Sequence, residues 1–341
     1  MTAAAPANAV QLADLTKLFV SRGVEENGRR RRVVRREIVA VDHVDLLIRR
    51  GELFGLLGPN GAGKTTTIRM LCTLLEPTSG RVQVWGVDAS RDPAAVRRQI
   101  GVVLAGERSI YWKLTGRENL EYFAALYQVP QPLARERIAQ LLDRVELTAR
   151  ADDLVERYST GMRQRLALIK SMVHDPPVLL LDEPTTGLDP QAARNIRDLI
   201  RHLHAVEGKT IILTTHYMEE ADQLCERIGI IDHGRIIALD RPQALKRSLS
   251  HGPILRMELE DAIDGVEAAL RTLPGVSEVL VREQPADGGW ELTVHLDDAR
   301  EALPLAVAAV SSRGARVRHL QLMEPSLEDV FIALTGRRLR D

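Results

Sequence analysis

Three short stretches carry residue types that could handle phosphate. The first is Gly58, Pro59, Asn60, Gly61, Ala62, Gly63, Lys64, Thr65 and Thr66. It satisfies G-x-x-x-x-G-K-[ST], in which the glycines let backbone N–H groups turn inward on phosphates. Lys64 would bring charge to the β and γ phosphates, and Thr65 a hydroxyl to Mg²⁺. The second is "VLLLDEP", residues 178–184, an apolar run ending in two carboxylates. Asp182 is placed to hold Mg²⁺, directly or through water. Glu183 could orient and deprotonate an attacking water. Read alone, the Asp-Glu pair could equally cap the next element; the upstream glycine loop favours chemistry. The third is His216, just past the apolar run "TIILTT". A lone histidine is usually structural, but strand ends of parallel sheets converge on ligands, so a γ-phosphate contact is expected.

A fourth stretch, "YSTGMRQR" at residues 158–165, reads as a turn opening into a helix. Helix N-termini bind anions through unpaired N–H groups. One chain expected to bind one nucleotide therefore carries two phosphate devices.

These residues need a scaffold that brings strand ends together. "IVAVDHVDLLI" (38–48), "LFGLL" (53–57), "RVQVW", "IGVVLA", "VLLLD" (178–182) and "TIILTT" (210–215) read as strands. A helix from about Lys64 to Leu75 should follow the glycine loop, stopped by "PTSG". Alternation of strands and helices predicts an α/β domain with a largely parallel sheet. Residues 115 to 157 lack strand signals and read as a helical insert. A polar stretch near Arg247 marks a boundary, which predicts domains at 1–246 and 252–341. The second should run β-α-β-β-α-β, a ferredoxin-like α+β pattern. There, Leu255, Met257 and Leu259 alternate, Val266, Ala269, Leu270 and Leu273 share a helix face, and so do Leu303, Val307 and Val310. A last helix should be capped by Ser326, face inward through Leu327, Val330, Phe331 and Leu334, and end at Gly336.

Composition narrows the classes. The 341 residues carry a formal net charge of -1, so nothing global points to nucleic acid. The two cysteines, Cys72 and Cys225, match no metal spacing and suit reduced, buried thiols. "MTAAAPANAV" lacks the regions of a signal peptide. No stretch approaches the roughly 18 apolar residues of a span, so a membrane role would come through a partner. "RRRRVVRR" (29–36) places six arginines in an apparent hairpin connection. It reads either as a solvated loop or as a contact with anionic lipid or a partner near the membrane.

Taken together with "TTGLDP" after Glu183, these motifs resemble the ATP-binding subunits of ABC transporters, from about Val10 to Leu245. "YSTGMRQR", "YWKLTGRENL" and "EPSLEDVFIALTG" make the chain look most like subunits of drug exporters of the daunorubicin-resistance type. The resemblance implies a P-loop NTPase fold of the ABC ATPase type, with ATP and Mg²⁺ as ligands. It implies ATP hydrolysis powering a permease on a separate chain, at the cytoplasmic face of the cell membrane. It also implies head-to-tail pairing with a second nucleotide-binding subunit, most simply another copy. Each ATP would then lie between the P-loop of one chain and Ser159, Thr160 and Gly161 of the other, which accounts for the two devices. Phe19 would stack on adenine, or else be a buried core residue. Asp189 would lie in the loop crossing the dimer interface.

The chain departs from the pattern in two places. Tyr158 and Thr160 replace the usual leucine and one glycine, while Ser159 and Gly161 remain. A glutamine normally follows the strand that begins at Ile100; here stand Ala105, Gly106 and Glu107. Glu107 could approach a metal or pair with Arg108 or Arg117. Rival classes are weaker. A DNA-repair ABC ATPase would show a long coiled coil, and a ribosome-associated one tandem nucleotide domains. A non-hydrolysing module would not keep Lys64, Asp182, Glu183 and His216, and a GTPase would carry N-K-x-D. The transported substrate is not legible.

Overall fold

The computed structural model describes residues 7–27, 30–104, 110–249, 252–260, 265–284 and 289–336, without side chains at 21–36 and 283–284. It divides into two compact units at Pro242/Gln243.

The first unit opens with a long hairpin, β1 (Asn8–Asn27) and β2 (Arg30–Arg49). Then come β3 (Leu53–Leu57), α1 (Lys64–Leu71), β4 (Ser79–Val84), β5 (Val87–Asp88), α2 (Pro93–Gln99) and β6 (Ile100–Val103). The helical part holds α3 (Gly116–Leu126), α4 (Gln131–Arg144) and α5 (Thr160–Lys170). After it follow β7 (Val178–Asp182), α6 (Pro190–Ala205), β8 (Thr210–Thr215), α7 (Met218–Leu224), β9 (Arg227–Asp232) and β10 (Arg235–Asp240), while α8 (Pro242–Arg247) opens the second unit.

One sheet runs β10-β9-β3-β8-β7-β6, parallel except for β10. Every residue of β3, β7 and β8 is buried, as expected of strands covered on both faces. Because β3, β7 and β8 run the same way, the residues after them emerge at one sheet edge. Those residues are the P-loop, Glu183 and His216. A second sheet, β2-β1-β4-β5, is antiparallel.

Two expectations change here. Residues 30–36 of the arginine-rich stretch are not a loop: β2 begins at Arg30, and the hairpin pairs through to Asn27 and Arg30. The β-branched Val33 and Val34 suit extended backbone. The helix after the P-loop ends at Leu71 rather than near Leu75, because Thr73 adopts a left-handed φ of 59°. The amides of Leu74 and Leu75 then both bond back to the Arg69 carbonyl.

Local signals account for the helical part. Thr115 and Glu118 form a reciprocal capping box at the start of α3. Asn119, fully buried, accepts from the Tyr111 amide and donates to the Tyr111 and Thr115 carbonyls. Ser159 caps α5, and Asp189 caps α6, with Pro190 in its first turn.

The second unit continues with β11 (Ile254–Leu259), α9 (Val266–Arg271), β12 (Val276–Gln284), β13 (Gly289–Leu296), α10 (Ala299–Ser311), β14 (Val317–Met323) and α11 (Leu327–Thr335). Its sheet is fully antiparallel in the order β12-β13-β11-β14, the ferredoxin-like arrangement. Leu255, Met257 and Leu259 point into its core with Val266 and Leu270. The inner stripe of α10 is Ala302, Ala306 and Val310, with Leu303 at its flank. On α11, Leu327, Val330 and Phe331 are buried, but Leu334 is 49% exposed. Leu334 lies one turn beyond Val330, at the last turn of the helix.

Candidate active site

The P-loop backbone comes first. A Cβ at Gly58 would collide with the Ile231 carbonyl oxygen, and one at Gly63 with that of Ala40. Gly63 also has a φ of 111°, which side chains disfavour, and it forms the N-terminal boundary of α1. Lys64 is buried, and its ammonium donates to the carbonyls of Gly58 at 2.7 Å and Pro59 at 3.0 Å. Burial pulls its pKa below the ordinary lysine value, while Glu183 and Asp182 pull it up.

Around Lys64 the strand ends converge. The Thr65 hydroxyl donates to Asp182 at 3.0 Å (Oδ2) and 3.3 Å (Oδ1). The Thr214 hydroxyl also donates to Asp182, which is 1% exposed. Glu183 Oε1 lies 3.9 Å from Lys64 Nζ and 3.2 Å from His216 Nδ1. The His216 contact is at ion-pair distance, but its angle is not that of a hydrogen bond. The Thr186 hydroxyl donates to Glu183 Oε2 at 3.2 Å. The Glu183 amide bonds to both the carbonyl and the hydroxyl oxygen of Thr214. Glu183 is held at a φ of 50°, a left-handed conformation costing about 1–3 kcal/mol. Such strain persists where surrounding bonds over-determine it.

Lys64, Thr65, Asp182, Glu183 and His216 thus meet within the first unit. The hydroxyl of Thr65 and the carboxylate of Asp182 offer two hard oxygens. Among the described residues no cluster of three His, Cys, Asp or Glu side chains forms a metal cage. Two oxygens suit Mg²⁺, which is usually held by one or two protein ligands plus substrate phosphates.

The remaining expected residues stand apart. Ser159 is exposed, and its hydroxyl accepts from the Met162 amide at 3.2 Å. Asp189 accepts from the Ala192 amide at 2.9 Å. A Cβ at Gly161 would come 3.0 Å from that of Ala192, so the N-termini of α5 and α6 lie side by side. No hydrogen bond or ion pair joins these residues to the Lys64 cluster among those described. Phe19 sits opposite Ile38 on the hairpin, 41% exposed, with the Lys17 ammonium 5.4 Å from its ring centre. The alternative of a buried core residue is therefore overturned; the hairpin edge leaves its ring open to solvent. Glu107 and Arg108 lie outside the described residues. Arg117 is held by Asp152 at 2.8 Å.

Two polar residues escaped sequence reasoning. Thr214 holds Asp182 in place, and only the paired threonines ending "TIILTT" hinted at it. Glu220, on the first turn of α7, is 3% exposed. Its oxygens face the Thr185 and Thr215 hydroxyls without hydrogen-bond geometry, and burial raises its pKa. Nothing in its sequence context distinguishes it from the exposed Glu219 beside it.

Comparison with known proteins fits this geometry. Residues 41–186 match the ABC transporter family, and residues 241–335 match the family described as ATP-binding protein DrrA1-3-like, C-terminal domain. The chain is 40% identical over 336 residues to the daunorubicin/doxorubicin resistance ATP-binding protein DrrA of Streptomyces peucetius, covering 98% of this chain and 95% of the relative. This chain belongs to the ABC transporter ATP-binding family. Another member, the linearmycin resistance ATP-binding protein LnrL of Bacillus subtilis, is 37% identical over 88% of this chain and 95% of its own. An ATP-binding cassette solved as a dimer with ADP and Pi superposes with a TM-score of 0.58 at 27% identity, covering 68% of this chain and 98% of its own.

As a family member the chain is an ATPase that binds ATP and acts in transport. ABC ATP-binding subunits work with a membrane permease and dimerise. Among the described residues no helix is long and apolar enough to cross a membrane.

Proposed function

We propose that this chain is the ATP-hydrolysing subunit of an exporter for drugs, antibiotics or other hydrophobic small molecules. It would work as a homodimer on the cytoplasmic face of the membrane, beneath a permease on a separate chain. The observation that carries the reading is the cluster of Lys64, Thr65, Asp182, Glu183 and His216 at one sheet edge. The drug-resistance names of the relatives support the class of substrate.

The residue roles follow from the chemistry at hand. Lys64, freed from the Gly58 and Pro59 carbonyls, would meet the β and γ phosphates along with the amides of 58–66. Thr65 and Asp182 would hold Mg²⁺, which when bound neutralises phosphate charge. Glu183 would take the proton of the attacking water, and His216 beside it would bind the γ-phosphate and steady that carboxylate. The exposed ring of Phe19 would stack on adenine. Ser159 and Gly161 would close on the partner copy's γ-phosphate, with Asp189 at the seam. ATP then bridges two copies, and hydrolysis removes the bridge. Residues 1–246 would form the nucleotide domain and 252–341 the accessory one.

Efflux of a fluorescent anthracycline from cells tests the reading. This chain co-expressed with a candidate permease should lower drug accumulation, and Glu183→Gln should abolish the effect. Unchanged accumulation with both proteins verified in the membrane fraction would count against drug export.

A further inference from the structure

We propose that Arg163 is a positioning residue, anchored on Trp112, that shapes the 158–161 turn for the partner copy's phosphate. The inference rests on the proposal that this turn acts across the dimer.

The turn has a local electrostatic problem. Thr160 and Gly161 open α5, and their amides have no intrahelical partner. Those donors suit a phosphate, but the Tyr158 carbonyl stands next to them. Left unpaired, that oxygen would repel an approaching anion. Arg163 answers this from one turn into the helix. Its Nη1 donates to the Tyr158 carbonyl at 2.8 Å, and its Nη2 lies 3.4 Å from the Thr160 hydroxyl. The guanidinium carbon sits 5.1 Å from the centre of the Trp112 ring. A planar cation on an aromatic face is both attracted and held in orientation.

Trp112 is itself fastened to the strand of chain leading into the turn. Its carbonyl accepts from the Glu156 amide at 3.1 Å. Lys113 Nζ reaches Glu156 Oε2 at 2.6 Å, and the Leu114 carbonyl accepts from the Val155 amide at 3.0 Å. Trp112 therefore stands at a set distance from Tyr158, with Arg163 spanning the gap. The Tyr158 hydroxyl, donating to the Arg150 carbonyl at 2.6 Å, fixes the other side. Arg163 so withdraws a carbonyl and leaves positive charge behind the anion site.

The test is ATP-driven dimerisation of the full chain in a Glu183→Gln background, read by sedimentation velocity across ATP concentrations. Arg163→Ala and Trp112→Ala should each raise the half-maximal ATP concentration about tenfold. Together they should raise it little further, because both break one connection. Arg163→Lys should behave like Arg163→Ala, since an ammonium keeps the charge but lacks the fork. Binding of a fluorescent ATP analogue to the monomer should stay within about twofold of the parent, because the P-loop is untouched. A thermal melt near the parent's confirms that each variant folds, and Trp112→Phe, which keeps a ring, should fall between parent and Trp112→Ala. A shift under twofold for Trp112→Ala would overturn the proposal. So would multiplicative single effects, parent-like Arg163→Lys, or an equal loss of monomer binding. If the Glu183→Gln parent itself ignores ATP, the reading across the dimer falls and takes this inference with it.

Discussion

Replacing Glu183 by glutamine separates chemistry from binding. The substitution keeps shape: a glutamine carbonyl can still accept from the Thr186 hydroxyl, now 3.2 Å from Oε2. The backbone bonds to Thr214 do not involve the side chain. What disappears is the basic oxygen and the negative charge 3.9 Å from Lys64 and 3.2 Å from His216. Loss of a general base lowers rates by about 10²–10⁴. That corresponds to about 3–5 kcal/mol of barrier. Binding should move the other way, if at all. With one carboxylate gone, the Lys64 ammonium has less internal compensation and more to gain from phosphate. Steady-state phosphate release should therefore show kcat falling at least a hundredfold while KM stays within about threefold. A kcat loss below tenfold, or a loss confined to KM, would remove Glu183 from the water-activating role.

Other expected outcomes follow from single features. Gly63→Ala should abolish ATP binding and lower the thermal midpoint, with about 1–3 kcal/mol lost to backbone strain and more to the Ala40 clash; an unchanged melt would mean that the loop relaxes freely. Ser159→Arg should block ATP-dependent dimerisation, and cysteines placed near the P-loop and at Ser159 should cross-link between chains only with ATP in the Glu183→Gln background. Intramolecular or ATP-independent cross-links would reduce the turn to a helix cap. Acid should weaken the fold through His174, which is stacked on Tyr127 and bonded to the Ile100 carbonyl. Burial lowers its pKa from 6.5 to about 4, with Arg137 and Lys209 lowering it and Asp175 raising it. The unfolded chain then takes up the proton first, so the stabilisation is full above pH 6.5 and is lost as pH falls toward 4. The change is about 3 kcal/mol, and His174→Phe should flatten that limb of a denaturation series.

The boundaries of β3, β7 and β8 were legible in the amino-acid order because all three strands are buried on both faces. Such strands must be continuous apolar runs, and the chemistry begins where the run stops. The glycine loop was legible for a related reason: only glycine fits beside the Ile231 and Ala40 carbonyls. The helix start at Ser159 and the cap at Ser326 were visible because capping is local, whereas Asp189, read only as a loop residue, also proves to cap a helix. Long-range contacts were not. The arginine-rich stretch continues the hairpin because it pairs with β1, and a charge run carries no sign of its cross-strand partner. The helix after the P-loop stops early at Thr73, a conformation no composition marks. Which strands adjoin β3, that Thr214 holds Asp182, and that Glu183 lies between Lys64 and His216 depend on residues as distant in the chain as Phe54 and Arg227, which pair in the sheet register. The sequence by itself therefore determined the local devices, because each is written in neighbouring residues. Only the tertiary structure decided which of them share a site, because that follows from strand order, and strand order is set by packing across the whole sheet.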